Sequence, residues 1–380
     1  MTRRKTWRAS RVLIGSLALV TGFQLYAQDG GPGARAASQV GTFTTFDAPD
    51  AGTASYQGTS PYANNGAGVV VGSYSNSSGS YGFVRSSDGS FVTLYAPDGS
   101  FVTPFAINEA GVITGYYGDV YATHGFLRAA DGAMTLFDPP GSLSTQPNGI
   151  NAAGVISGTY YDKDYVAHGF VRTANGAITT FDVPGAGTGS FEGTLATGIN
   201  ASGAISGCYG SFNAYHGFLR TSDGVIISFD PPGSSNTCAA PEVNNLDYAA
   251  ARINAAGEIT GTYYLPTAGF PFGAEVRGYL RSSGGAFTGF DAATYPPCCI
   301  FTYGLAINPA GLIAGYENDG YDLNHGYLRL TNGTIITLDA PGAGFGFNQG
   351  TLAVDVNKAG QVIGWYVDSN NVSHGFLWKR

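Results

Sequence analysis

The chain has 380 residues, of which 12% are charged, with 58 Gly, 24 Tyr and a formal charge of −8. That acidic balance argues against nucleic acid or an anionic membrane as partner, since both demand clustered Lys and Arg. The Gly-, Tyr- and Ser/Thr-rich composition, with no apolar stripe of helical period beyond the N-terminus, excludes a disordered chain and predicts many short strands joined by tight turns.

Residues 1–27 read as a secretory signal. Arg3, Arg4, Lys5, Arg8 and Arg11 precede an apolar segment from Val12 to Phe23, and Leu25-Tyr26-Ala27 offers a small-residue cleavage site. Ala34-Arg35-Ala36 is a second option, and a retained anchor is the alternative to cleavage. Residues 28–40 read as a disordered linker. Loss of 1–27 removes five of the 18 Lys+Arg and none of the 26 Asp+Glu, leaving a formal −13. No later segment is long and apolar enough to span a bilayer. A periplasmic or extracellular bacterial location follows, in which Cys208, Cys238, Cys298 and Cys299 can form disulfides. Spacing leaves Cys208–Cys238 and a bond from Cys238 to Cys298 or Cys299 both open.

From residue 41 to 380 one unit recurs seven times, 43 to 61 residues apart. Repeat 3 reads Ile150-Asn151-Ala152-Ala153-Gly154, Gly158-Thr159-Tyr160-Tyr161, His168-Gly169-Phe170-Val171-Arg172 and Ile178-Thr179-Thr180-Phe181-Asp182. The leading Asn returns at Asn65, Asn108, Asn200, Asn254, Asn308 and Asn357, each three residues before Gly, a type I turn signature. Each unit therefore offers four strands, A to D, with Asn-x-x-Gly between A and B. Asp-Gly, Asn-Gly or Gly-Gly turns lie between C and D, and a Pro/Gly-rich crossing leads to the next unit. Seven such units predict an all-β, seven-bladed β-propeller of four-stranded antiparallel blades. The chain starts with a lone D-type strand, Phe43–Asp47, and ends on C, which predicts that the N-terminal strand closes the ring.

His in strand C and Asp in strand D lie 14 residues apart: His124/Asp138, His168/Asp182, His216/Asp230 and His325/Asp339. Arg277/Asp291 and Tyr81/Tyr95 keep the same spacing, and closure would pair His374 with Asp47. A three-residue C–D loop ending in Gly puts these positions opposite each other, and sets Gly169 against Phe181. All five His occupy repeat positions, so they are read as structural pairs, and no catalytic residue is assigned. No nucleophile elbow, phosphate loop or zinc spacing occurs. The repeats resemble the extracellular repeat family named for a His-Ala-Phe tripeptide, here His-Gly-Phe at 124–126, 168–170, 216–218 and 374–376 and His-Gly-Tyr at 325–327. They also resemble WD-repeat propellers in bracing blades with Gly, His and Asp. The first resemblance implies a secreted repeat protein with no defined reaction.

Function is expected on the face formed by the B–C loops and D–A crossings, where length varies. Tyr117, Asp119, Tyr161, Asp162, Tyr264, Asp319 and Asp368 are the candidate ligand-binding residues, since aromatics beside carboxylates suit sugars or Ca²⁺-assisted binding. No cofactor is required, Ca²⁺ being the one metal left open. The leading expectation is a module that binds an extracellular glycan or protein; a glycan-active hydrolase or lyase and a structural envelope protein are the alternatives.

Overall fold

Repeat 3 shows how each unit is built. Strands Ser144–Ile150, Ile156–Tyr161, Ala167–Arg172 and Ile178–Phe181 follow one another antiparallel, each beside the last. The computed structural model describes residues 41–118, 122–211, 214–238, 251–266, 274–292, 301–319 and 322–380, and every regular element among them is a β-strand. The expected signal and linker at 1–40, together with Asp119, Cys298 and Cys299, lie outside the described residues. The described residues belong to one unit, Val40–Arg380.

The C–D hairpin takes its register from its turn. Thr173 N donates to Ala177 O and Gly176 N to Thr173 O, enclosing three residues with Gly176 at φ 96°. That count sets Gly169 opposite Phe181. A Cβ on Gly169 would stand 2.5 Å from the Phe181 ring, so only the bare backbone lets the ring lie flat across the strand. The ring is held from its other side. Arg220 of repeat 4 stacks its guanidinium 4.9 Å from the Phe181 centroid, and the same contact joins Arg172 to Phe137, Arg281 to Phe229, Arg329 to Phe290 and Arg85 to Phe46. Neighbouring repeats are thereby tied by a cation over an aromatic face, worth about 0.5–2 kcal/mol each.

Strand A carries a β-bulge in six repeats. The register slips around Tyr62, Phe105, Asn148, Thr197, Leu305 and Val354. In repeat 5 the corresponding strand is described as two pieces, Asn236–Thr237 and Arg252–Ile253, both paired with Ile259–Pro266. A bulge sharpens the twist and turns one side chain out of the ladder.

The turn Asn of each repeat does more than bend the chain. Asn151 Oδ1 accepts from Ala153 N and Val155 N, while its Nδ2 donates to Asn200 O of the next repeat at 3.2 Å. The bond recurs from Asn65 to Asn108, Asn108 to Asn151, Asn200 to Asn254, Asn254 to Asn308 and Asn308 to Asn357. The seventh, Asn357 Nδ2 to Asn65 O at 2.8 Å, returns to the first residue. All seven Asn are buried. The N-terminal strand Thr42–Phe46 pairs antiparallel with Ser373–Lys379, setting Phe46 opposite Gly375.

Candidate functional site

The strand C and D polar residues meet at the end of each hairpin. His124 Nδ1 lies 2.8 Å from Asp138, His168 2.9 Å from Asp182, and His216 and His325 each 2.8 Å from Asp230 and Asp339. His374 Nδ1 lies 3.0 Å from Asp47, and Arg277 makes a two-pronged contact with Asp291. Asp138 and Asp230 also accept from Thr145 and Thr237 of the following repeat, at 2.6 Å. The His rings rest on strand B tyrosines: Tyr160 on His168 at 4.9 Å and Tyr366 on His374 at 5.0 Å.

Tyr117 has its ring 5.3 Å from His124 and is half-buried; burial, reinforced by Asp138 and Asp98, raises its hydroxyl pKa. Tyr161 is only 7% exposed, and Tyr264 is half-buried opposite Asn236. These tyrosines are wall material of the repeats rather than an open stacking surface. The loop acids are engaged locally. Asp162 Oδ1 accepts from Asp164 N and Val166 N, and Asp368 Oδ1 from Asn370 N and Val372 N. Their second oxygens lie 3.7 Å from His168 Nε2 and His374 Nε2. Burial alone would raise both carboxyls, but these amides and the facing His hold them below their ordinary value. Asp319 Oδ1 accepts from Leu323 N. The acids at the candidate positions therefore shape their own loops.

Exposure picks out a different set on the same face. Tyr56 and Phe345 are 87% exposed and Phe347 68%; Phe191, Tyr95, Phe101 and Tyr165 follow at 41–50%. Among the described residues these are all the highly exposed aromatics, and every one stands on a crossing, a B–C loop or the strand end that leads into a crossing. Their backbone is held. Tyr56 N donates to Asn371 O and Phe191 N to Tyr165 O, both at 2.7 Å, and Asn348 N donates to Asp322 O at 2.8 Å. All six residues have φ of 58–65°, a left-handed conformation that Asn371, Asn348 and Asp322 adopt readily and that the bulky Tyr56, Phe191 and Tyr165 adopt only under constraint. Gln349 Nε2 donates to Asn371 Oδ1, linking the loop that carries Phe345 and Phe347 to the one that supports Tyr56. The composition shows these aromatics, but their exposure depends on how adjacent repeats pack. For Tyr56, Phe191, Phe345 and Phe347 the sequence signal is Tyr or Phe within a Gly/Ser-rich crossing.

Two further features depart from the repeat. Cys208 and Cys238 are disulfide-bonded, Cα–Cα 6.2 Å, joining strand B of repeat 4 to the residue just after the first piece of strand A of repeat 5. Glu317 stands where the other six repeats have Tyr74, Tyr117, Tyr160, Tyr209, Tyr263 and Tyr366. It lies opposite His325, is 5% exposed, and its Oε2 has no hydrogen-bond partner among the described residues. Burial, only partly offset by His325, pushes its carboxyl up to about 7.

Among the inner strands is one open cavity of about 170 Å³, with wall residues from all seven repeats. Its charges are Arg252 and Asp355, neither of which the repeat pattern marks as a site. Lining up the copies two residues before the turn Asn would have found them.

No protein-family profile matches this chain, and no characterised protein sequence is significantly similar to it. Solved structures do match. A catalytically inactive virginiamycin B lyase from Staphylococcus aureus, determined with quinupristin, superposes with a TM-score of 0.53 at 12% identity, covering 90% of this chain and 100% of the lyase. The β-propeller domain of the Trilobed protease from Pyrococcus furiosus, described as having an open velcro topology, gives 0.56 at 10% identity, covering 84% and 95%. At such identities the likeness concerns fold alone. Together with the all-β repeats, it makes the architecture a β-propeller.

Proposed function

We propose that the protein is a secreted seven-bladed propeller, its ring closed by the N-terminal strand, that binds a neutral extracellular glycan through the aromatics of its crossing face. The observation that carries the binding reading is that the highly exposed aromatics of the described residues share one face, on loops pinned by backbone bonds. Open rings on a rigid frame match the faces of sugars, and the acidic charge disfavours polyanions. Seven-fold closure is supported by the cycle of Asn bonds and by the pairing of Thr42–Phe46 with Ser373–Lys379. Export is supported by the N-terminal charge-then-apolar pattern and the Cys208–Cys238 bond, which persists in oxidising compartments. The likeness of the His-Gly-Phe repeats to the His-Ala-Phe extracellular family points the same way.

The test is a glycan array probed with the wild type and with the Tyr56→Ala/Phe345→Ala/Phe347→Ala variant. The wild type should retain at least one glycan, and the variant should lose ten-fold or more in affinity, about 1.4 kcal/mol. A wild type that binds nothing, or a variant that binds equally well, refutes the reading. Chelation with EDTA should leave binding unchanged, because the loop acids already spend oxygens on their own amides. A glycan-active enzyme is favoured by one observation, the buried carboxyl of Glu317 opposite His325, whose Oε2 has no hydrogen-bond partner among the described residues. At 5% exposure that carboxyl is closed to a polysaccharide chain, so the binding reading stands ahead of it. Glycan turnover that Glu317→Gln abolishes would reverse the order.

A further inference from the structure

The cavity between the inner strands has its own chemistry. Two residues before the turn Asn, five repeats hold Ala63, Ala106, Gly149, Gly198 and Ala306, all small and uncharged. The other two hold Arg252 and Asp355, and both line the cavity. Equivalent positions in a repeat stand at equivalent depth, so the opposite charges face the same level of the cavity from walls two repeats apart. Arg252 is oriented by donating from Nη1 to Asn148 O at 3.0 Å and to Thr197 O. Asp355 accepts from Asn64 N at Oδ2 and from Val356 N at Oδ1, both at 2.9 Å. Tyr62 and Phe105 line the cavity too, but their rings stack on each other 5.4 Å apart, Phe105 stacks again on Tyr116, and the Tyr62 hydroxyl lies 2.7 Å from that of Ser73.

We propose that this cavity binds a small zwitterion of amino-acid size, its ammonium group held by Asp355 and its carboxylate by Arg252. Arginine is the side chain suited to a carboxylate, through its planar fork of donors. An ammonium group is the matching partner for a carboxylate, joined to it by charge-assisted hydrogen bonds. The size is right: a cavity of about 150 Å³ accepts a benzene-sized molecule, and this one measures about 170 Å³. Asp355 is also costly where it stands. Burial pushes its carboxyl up to about 6, against the pull of Asn64 N–H, Arg252 and Val356 N–H, although five sister positions manage with Ala or Gly. A carboxyl perturbed by burial beside an opposite charge in a cavity is a candidate binding residue.

The inference does not rest on the glycan reading, and the experiment separates the two. The purified protein is titrated with each of the twenty free amino acids by isothermal calorimetry, with N-acetyl and amide derivatives of any that binds. At least one amino acid should bind saturably at one per chain, and loss of either its ammonium or its carboxylate charge should weaken binding ten-fold or more. Asp355→Asn and Arg252→Gln should each weaken it as much, while array glycans bind these variants as they bind the wild type. Ala63→Met, which leaves both charges and fills the wall, should block the amino acid; it decides the matter if a charge variant fails to fold. Absence of saturable binding by all twenty at millimolar concentration, or affinity unchanged by all three substitutions, overturns the proposal.

Discussion

Asn151 shows how much one side chain can carry. Its oxygen closes its own turn and its amide reaches the next repeat, so removing it strands a buried carbonyl as well as loosening a turn. Asn151→Ala should cost about 1–3 kcal/mol, read from the denaturant midpoint; an unchanged midpoint would reduce the inter-repeat bond to a geometric coincidence. Glu317 gives a prediction of opposite sign. Its folded carboxyl titrates at about 7 against an ordinary 4.5, because burial outweighs His325, and Asp339, Asp319 and Asp291 add repulsion. Between those two values the folded chain binds more protons than the unfolded one, so Glu317 makes stability fall as pH rises through that window. Glu317→Gln should therefore be about equally stable at pH 4 and more stable at pH 8, by up to about 3 kcal/mol. A melting difference from wild type that is the same at both pH values would contradict this.

The hairpin is the element most legible in the sequence. Fourteen residues between His168 and Asp182, with Gly176 in the loop, are enough to pair Gly169 with Phe181. What lies across repeats was harder to read. The Arg of His-Gly-Phe-Val-Arg looks like an ordinary strand-end cation until the neighbouring repeat supplies Phe137 beneath Arg172. Where the neighbour supplies Leu94 or Leu338 instead of Phe, there is no ring to cover, and at the latter junction Trp378 replaces the Arg. Phe137→Leu should cost about 1 kcal/mol and Arg172→Leu in that background little more; fully additive losses would refute the coupling. The exposure of Tyr161 depends on neighbouring repeats in the same way. Its position at a strand end suggests exposure, but neighbouring packing leaves it 7% exposed, while Tyr56, in an unremarkable Gly/Ser-rich crossing, is the open ring. The Cys208–Cys238 bond likewise depends on how repeat 5 meets repeat 4, which spacing left open. Cys238→Ser should cost about 2–4 kcal/mol in non-reducing buffer and nothing further in reducing buffer.

On the scale of the whole molecule, the inferred closure decides where function can sit. A closed ring fixes seven crossings on one face and seven turn Asn on the other, with a cavity between the inner strands. The N-terminal strand supplies Phe46 to lie over Gly375 and under Arg85, and Asp47 to meet His374. If closure is right, that strand is worth far more than five residues of a free end, since it holds the half-buried Phe46 between Gly375 and Arg85 and the half-buried Phe43 against Phe376. The direct measurement is the melting temperature of a chain beginning at Gly41 against one beginning at Ala48. The account predicts a single cooperative transition for the first and, for the second, a large fall in melting temperature or no folded state. Equal melting of the two chains would mean that the strand closes nothing and that the seven repeats do not form a ring.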